Sequence, residues 1–369
     1  MAQKKTGRGW SLLKGIFLLA TNLSALMLLG ADAAAYVHPE KFWVFAFLGL
    51  GFPVLLAVNF FFFFFWMVVR LRYVFIPLLA IVFGWFQLTH AFAWHNPLHE
   101  NKSGDLKVMS WNVRNFDLYN WNHNKETRSK MFQLIKDEQP DVACFQEFYS
   151  SDAGDFQNEK MLMKDFGFTS SYFYKAETLR GTDHWGVAIF SKLPIVNSGV
   201  VHFQTHNMNV AIFADVVWKA DTIRVYTTHL QSIYLGDKDY QYLETVQDSG
   251  DVNLKESKHL YSKIKPAFIT RAKQADELKK QMNNCRYLKI LCGDFNDTPS
   301  GYAYHTLQQN MQDAFLKTNF GIGSTYNGNI PLLRIDYILC DENFKVNSFD
   351  KATDKLSDHY PVTATFSVK

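Results

Sequence analysis

Between Asn59 and Trp66 the chain carries six consecutive phenylalanines, at positions 60–65, inside an apolar run with no polar face. A helix that is apolar all round must be buried on every side, and about 20 such residues are enough to cross a bilayer. Three stretches before Glu100 meet that length, at roughly 12–31, 42–69 and 73–94. They predict three transmembrane helices in a membrane anchor spanning 1–99, followed by a soluble domain at 100–369. Gly49, Gly51 and Pro53 are placed to kink the second stretch, whose excess length predicts tilt or an end lying in the interface.

Charge placement predicts the orientation, because cytoplasmic flanks collect Lys and Arg. Lys4, Lys5, Arg8 and Lys14 precede the first stretch, and Arg70 and Arg72 form the short turn between the second and third. Both basic clusters lie on the cytoplasmic side if everything after Trp94 lies outside. The expectation is an integral protein of a bacterial inner membrane, with its soluble domain on the periplasmic or extracellular side. Ala31-Asp32-Ala33-Ala34-Ala35 has the small-residue pattern of a signal-cleavage site. The further apolar stretches favour an uncleaved helix.

After position 99 the chain holds 31 basic and 33 acidic residues, because seven of its 38 Lys and Arg and two of its 35 Asp and Glu come earlier. A domain that grips nucleic acid through phosphates shows a basic face, and this one has no net basic excess. Cys144, Cys285, Cys292 and Cys340 form no CxxC pair and have no histidine partner at zinc-finger spacing, which argues against a structural zinc site. Three of them, Cys144, Cys292 and Cys340, sit in or beside apolar strand-like runs, where a free cysteine behaves as a small core residue.

The soluble part alternates short apolar runs with helical patterns. Strands are expected at 106–111, 141–146, 171–175, 185–191, 210–218, 222–228, 288–292, 335–340 and 362–368, and helices at 126–137, 158–164, 263–283 and 302–310. Many strands with helices between them predict a layered α/β domain. The polar stretch 232–258, with Gly236 and Gly250, reads as a solvated insertion.

Polar residues stand where these strands end, the place at which a rigid sheet offers side chains to a cleft. They are Asn112 in SWNV, Glu147 in CFQE, His229 in TTHL, Asp294 and Asn296 in GDFND, Asp336 in RIDYI, and Asp358 with His359 in SDHYP. Gly293 permits a tight exit from its strand, and an Asp and an Asn two residues apart then hold a water and an oxyanion. A carboxylate among Ile335, Tyr337 and Ile338 needs a partner, and a histidine is a natural one. Oxygen ligands such as Glu147 and Asn112 suit Mg²⁺ or Mn²⁺.

Taken in order, SWNV, QE, GVAIFSKLP, THL, GDFND, RIDYI and SDHYP resemble the motifs of the endonuclease/exonuclease/phosphatase superfamily, over about 106–368. The resemblance implies a four-layered α/β sandwich, with two packed, mostly antiparallel sheets flanked by helices. It also implies a metal-dependent hydrolase of phosphoester bonds. By motif, Glu147 is the principal metal ligand, with Asn112 nearby and Asp358 close to the metal. Asp294 orients or deprotonates the attacking water, and Asn296 holds that water or a phosphate oxygen. His359 contacts the phosphate and is oriented by Asp336, while His229 binds the phosphate or assists the leaving group. Two features depart from the pattern: Arg114 stands where several nuclease members carry an acid, and the segment after His229 is longer than in compact members.

Three functions remain open at this level. The anchor, the absence of basic excess and His229 favour a phosphorylated small molecule or a phospholipid head group as substrate. A surface nuclease is the alternative, its bases or sugars met by Asn112, Asn115, Asn120, Asn122 and Asn124 with Trp111, Tyr119 and Trp121. A catalytically silent receptor of the same fold is the third reading, and the complete set of strand-end residues argues against it.

Overall fold

The computed structural model describes residues 5–96, 104–205, 209–328, 330 and 332–369. The chain divides into two compact units, Met1–Ala91 with Thr298–His305, and Phe92–Asp297 with Thr306–Lys369.

The first unit is helical: α1 (Lys5–Ala33), α2 (Trp43–Leu50), α3 (Phe52–Val69), α4 (Phe75–Phe83) and α5 (Trp85–Ala91). Among the described residues, two helical stretches are long and apolar enough to cross a membrane, Ser11–Ala33 and Phe52–Val69. The third expected span differs from a single helix. Gly84 ends α4, and the chain bends by 52° between Leu71–Phe83 and Trp85–Ala91. The second expected span is interrupted where its sequence predicts a kink, with Gly51 between α2 and α3 and Pro53 in the first turn of α3. Leu28, Phe52, Leu56, Ala80 and Ile81 pack inside, whereas Phe61, Phe64, Val68 and Phe83 point outward. Several polar groups inside this bundle are hydrogen-bonded. Trp66 Nε1 donates to Thr21 Oγ1 at 2.8 Å, and Asn59 Nδ2 donates to the Ser24 and Leu55 carbonyls at 3.1 and 2.8 Å.

The remaining elements, in chain order, begin with β1 (Ala93–Trp94), β2 (Leu106–Asn112), α6 (Thr127–Glu138), β3 (Val142–Ser151), α7 (Asn158–Asp165), β4 (Ser170–Leu179), β5 (Asp183–Ser191), β6 (Ile195–Val201), β7 (Val210–Trp218) and β8 (Asp221–His229). They continue with α8 (Asp237–Ser249), α9 (Leu254–Asn283), β9 (Leu288–Asp294), α10 (Tyr302–Gln308), β10 (Met311–Asp313), α11 (Ala314–Thr318), β11 (Phe320–Gly321), β12 (Asp336–Asp341), β13 (Phe344–Lys351) and β14 (Val362–Val368). Two six-stranded sheets result, ordered β10-β12-β9-β8-β7-β6 and β13-β14-β2-β3-β5-β4. Each has one parallel pair at its centre, β8 with β9 and β2 with β3, and is antiparallel elsewhere. This is the expected sandwich.

Strand alternation builds its layers. In β2 and β3, Val108, Val142 and Cys144 join Ile212, Val225, Ile290 and Ile338 in the core between the sheets. Their sequence neighbours Met109, Trp111, Ala143 and Phe145 face the other way, into a second core with Met131, Phe132 and Ile135 of α6. The stretch 232–258, expected as a solvated insertion, forms α8 and the first turn of α9.

Candidate active site

The sandwich places the ends of β2, β8 and β9 and the start of β12 at one edge. Parallel pairing sets His229 beside Asp294, and antiparallel pairing sets Asp336 beside Asp294 on the other side. One sheet therefore presents His229, Asp294 and Asp336 in a row. In the facing sheet Asn112 pairs with Gln146, the residue before Glu147. The two rows are tied beneath the site by Gln146, whose Nε2 donates to Thr227 Oγ1 at 2.8 Å and Ser110 Oγ at 3.3 Å.

Local backbone aims the side chains. Register shifts between Phe145 and Phe148 opposite β5, and Glu147 sits in this bulge at φ 48°, a left-handed conformation costly for a non-glycine residue. The bulge turns Glu147 out of the strand alternation toward the cleft, where its side chain is 35% exposed. Gly293 has φ 136°, and an added Cβ would lie 2.1 Å from the Thr228 carbonyl oxygen. Only glycine lets β9 lie this close to β8 just before Asp294. Asn296 holds φ 51°, which Asn tolerates better than most residues.

Asp294 is the hub. Its Oδ2 accepts from Asn112 Nδ2 at 3.2 Å and lies 3.7 Å from Nε2 of both His229 and His359. Its Oδ1 accepts from the Asn296 N–H at 2.8 Å. Burial pushes the Asp294 carboxyl above its ordinary range, against the lowering influence of His359 and His229. Asn112 Nδ2 also donates to Glu147 Oε1 at 3.1 Å, and His229 Nε2 is 3.8 Å from that same oxygen. The Asn112 oxygen accepts from the Arg114 N–H at 3.1 Å, so the amide nitrogen is what faces the carboxylates.

His359 Nδ1 reaches both oxygens of Asp336, at 3.0 and 2.9 Å. Asp336 is fixed by its own N–H on Thr325 Oγ1 at 3.0 Å. The His359 backbone is held by Trp111 Nε1, which donates to its carbonyl at 2.9 Å. Burial alone would lower the imidazole, but Asp336 and Asp294 outweigh it and hold His359 well above its ordinary range. Both carboxylates thus favour its protonated form.

Seven expected residues thus converge: Asn112, Glu147, His229, Asp294, Asn296, Asp336 and His359. Asn296 Nδ2 is turned to the Leu230 carbonyl at 3.0 Å. Asp358 faces Arg114, whose Nε is 3.5 Å from its Oδ2.

Arg271 bears on the site without any strand-end signal. It is 2% exposed on α9, donates from Nε to the Gln231 carbonyl at 2.9 Å, and lies 3.4 Å from Asp297 through Nη1. Gln274, one turn along, accepts from the Gln231 N–H at 2.8 Å. Helix α9 thereby pins the chain just after His229 to the chain just after Asn296. In sequence Arg271 is one base among many on a helix rich in Lys, and only the period that aligns it with Phe268, Ala275 and Leu278 marks a buried face.

The donor set fits a hard divalent cation. Glu147 and Asp294 each accept from the Asn112 amide, Asp336 pairs beside Asp294, and oxygen ligands are those Mg²⁺ and Mn²⁺ select. Asp294, Asp336 and His359 also offer one donor atom each within 4.8 Å of one another, although His359 Nδ1 is engaged with Asp336. A carboxylate pushed toward stronger basicity beside a buried imidazolium is an arrangement for proton abstraction next to an anion.

Comparisons with known proteins agree with the fold. The catalytic domain of human Nocturnin with bound sulfate superposes with a TM-score of 0.52 at 19% identity, over 73% of this chain and 97% of that one. An endonuclease/exonuclease/phosphatase from Bacteroides vulgatus gives 0.52 at 16% identity, over 72% and 99%. D. rerio TDP2 complexed with single-strand DNA product gives 0.50 at 16% identity, over 72% and 100%. No curated protein matches the chain in sequence. A family model described as a domain of unknown function (DUF8431) matches residues 14–91. The model of the Endonuclease/Exonuclease/phosphatase family matches residues 109–359, and the chain belongs to that family.

Proposed function

We propose that this protein is a membrane-anchored phosphoesterase that uses a divalent cation, Mg²⁺ or Mn²⁺, to hydrolyse a phosphodiester or phosphomonoester on a lipid head group or small molecule. The observation that carries the reading is the convergence of Asp294, His359 and Asp336 beside Glu147. Anionic phosphate repels a nucleophile, so hydrolysis requires positive charge on the phosphate and a base for the water. His359, whose protonated form Asp336 and Asp294 favour, offers its Nε2 to a phosphate oxygen. Asp294, made more basic by burial, orients the attacking water and takes its proton. Asn296 steadies the water or a phosphate oxygen, and His229 binds phosphate or assists the leaving group. Glu147 would hold the cation, with Asn112 and Asp358 close by, and the bound ion supplies further positive charge to the phosphoryl oxygens.

Residues 1–99 act as the anchor and 100–369 as the catalytic domain in this reading. The basic residues at 4–14 and 70–72 support a cytoplasmic side for both flanks, hence a catalytic domain on the periplasmic or extracellular side of a bacterial inner membrane. The balance of 31 bases against 33 acids after position 99 favours a small substrate over a polynucleotide. The test is purified full-length protein with Mg²⁺ or Mn²⁺ on vesicles of sphingomyelin, phosphatidylinositol or phosphatidylglycerol, beside soluble phosphomonoesters. Release of head group or phosphate that Glu147→Gln and His359→Ala abolish supports the reading. No release from any of them overturns it.

A nuclease is the second reading, favoured by one observation. The Arg114 guanidinium stacks on Trp121 at 4.3 Å from the ring centroid while pairing with Asp358, and Tyr119 beside it is 60% exposed. Such an aromatic and cationic rim suits a stacked base. Cleavage of single-stranded DNA or RNA faster than any small ester would select this reading.

A further inference from the structure

Ala93 is buried in the core with Ala314 and Phe315 of α11, so its neighbours Phe92 and Trp94 point the other way. Trp94 pairs with Phe320 of β11, and the His95 N–H donates to the Asn319 carbonyl at 3.0 Å, which fixes this register. The outward positions of a strand pair that faces water are ordinarily polar. Here they are apolar: Trp94, Phe320 and Ile322 are 55, 61 and 41% exposed. Phe92 joins them, its ring centroid 4.5 Å from that of Trp94 and 5.2 Å from that of Phe320. Single exposed apolar side chains are ordinary on a protein surface, but a contiguous aromatic group marks a face that something apolar covers.

Chain continuity identifies the cover. Ala91 ends α5, and only Phe92 and Ala93 intervene before Trp94. A chain leaving a membrane-embedded helix carries Trp94 no more than about 11 Å into water, the reach of three residues. The bound holds whether the bent pair α4 and α5 crosses the bilayer or turns back, because either path ends at a surface. Pairing with Trp94 then brings Phe320 to the same depth. Aromatic rings suit this zone, where they sit among head groups. Lys317, exposed in the last turn of α11 three residues before Phe320, offers an ammonium to lipid phosphate. The same segment leads on to the site. Gly323 lets the chain pass Phe315, since a Cβ there would lie 2.3 Å from that ring. The Ser324 carbonyl accepts from Lys351 Nζ at 2.7 Å, and Tyr326 pairs through its backbone with His359. Four residues of chain, at most about 14 Å, lead from Ile322 to Tyr326.

We propose that Phe92, Trp94, Phe320 and Ile322 form a foot that beds the catalytic unit in the head-group layer of the bilayer, and that the site draws its substrate, a phospholipid, from that same membrane. The inference rests on the membrane-anchored phosphoesterase reading and names the source of its substrate. Burying rings at the head-group boundary holds the unit against the surface, where a tether of chain alone would let it tumble. The segment 322–326 then ties His359 to the surface by a short length of chain, so lipid phosphate reaches the site without leaving the bilayer for water.

The test uses full-length protein in nanodiscs of phosphatidylcholine and phosphatidylglycerol that carry a lipid spin-labelled in its upper acyl chain. Trp94→Cys, Phe320→Cys and, as a control at an exposed position of β6, Val196→Cys each receive a fluorophore. All carry Cys285→Ser, because the other three cysteines are buried. The spin label is expected to quench positions 94 and 320 at least about twofold and to leave 196 unquenched. Phe320 is the decisive position, since Trp94 is tied to α5 by three residues in any case. A label at 320 quenched no more than that at 196 overturns the foot and assigns the patch to a protein partner. Phe320→Glu, checked for folding by circular dichroism, is expected to lower head-group release from phosphatidylglycerol vesicles about tenfold relative to hydrolysis of soluble bis(p-nitrophenyl) phosphate. An unchanged ratio overturns the membrane as substrate source. If wild type acts on neither substrate and equals Glu147→Gln, the phosphoesterase reading fails, while quenching at 320 still decides the foot.

Discussion

Nδ1 of His359 lies 3.0 and 2.9 Å from the two carboxylate oxygens of Asp336, and its Nε2 lies 3.7 Å from Asp294. A histidine between two carboxylates keeps its proton to a pH above its usual range, while burial makes Asp294 hold its proton to a pH above its own. The rate is therefore expected to follow a bell. It falls on the acid side as Asp294 protonates and on the alkaline side as His359 loses its proton, with apparent values that belong to the coupled group. The sign for stability follows the same shift. The pairing of His359 stabilises the fold fully below the pKa of an unfolded histidine and is lost as pH rises through the raised folded value.

Asp336→Asn removes the charge that raises His359 most. The alkaline limb is expected to move to lower pH, and kcat near neutrality to fall about 10²-fold or more. A pH–rate profile checks both. An alkaline limb that stays in place means that another group titrates there.

Glu147→Gln keeps shape and hydrogen bonding but removes a charge from the side chain that the bulge at φ 48° turns into the cleft. Calorimetric titration with Mn²⁺ is expected to show at least roughly tenfold weaker binding, with an unchanged melting curve in the absence of metal. Equal affinity in the variant places the cation elsewhere, with the Asp294, Asp336 and His359 group the next site to test.

Arg271→Met deletes a buried guanidinium and its ion pair with Asp297, which is 8% exposed. Breaking a buried pair from one side costs about 3–5 kcal/mol, so urea unfolding is expected to show a loss of that size. The loss should be smaller in Arg271→Lys, which retains the charge. A change under about 1 kcal/mol in Arg271→Met would mean that the pair contributes no more than an exposed one.

How far the fold can be read from the chain depends on which physical pattern each residue belongs to. Asn112, Glu147, His229, Asp294 and His359 stand at breaks in apolar alternation, and a break in period is visible in one dimension. The row of His229, Asp294 and Asp336 follows from strand order and register, which the one-dimensional pattern leaves open. The left-handed turn at Glu147 is hidden because CFQE contains neither Gly nor Pro to mark a bulge. Arg271 is hidden differently, as a charged residue on a helix whose charges mostly face water. In the helical unit, 73–94 reads as one apolar run, yet Gly84 bends it by 52°.

The helical unit yields the last expectation. Outward-facing Phe61, Phe64, Val68 and Phe83 give the helical unit an apolar exterior, and Ser11–Ala33 and Phe52–Val69 are each long enough to span. With Lys14 near the start of the first of these and Arg70 and Arg72 just after the second, a cytoplasmic location for both basic flanks requires two crossings between them, and a catalytic domain outside requires one more before Phe92. The bent pair α4 and α5 then completes the third crossing. A reporter active only after export, fused behind Lys369 in full-length protein, is expected to be active. The same reporter fused after Arg72 is expected to be silent. Activity at Arg72 and silence at Lys369 would invert the topology. Silence at both would mean that the bent pair turns back without crossing, leaving the catalytic domain on the cytoplasmic side after two spans.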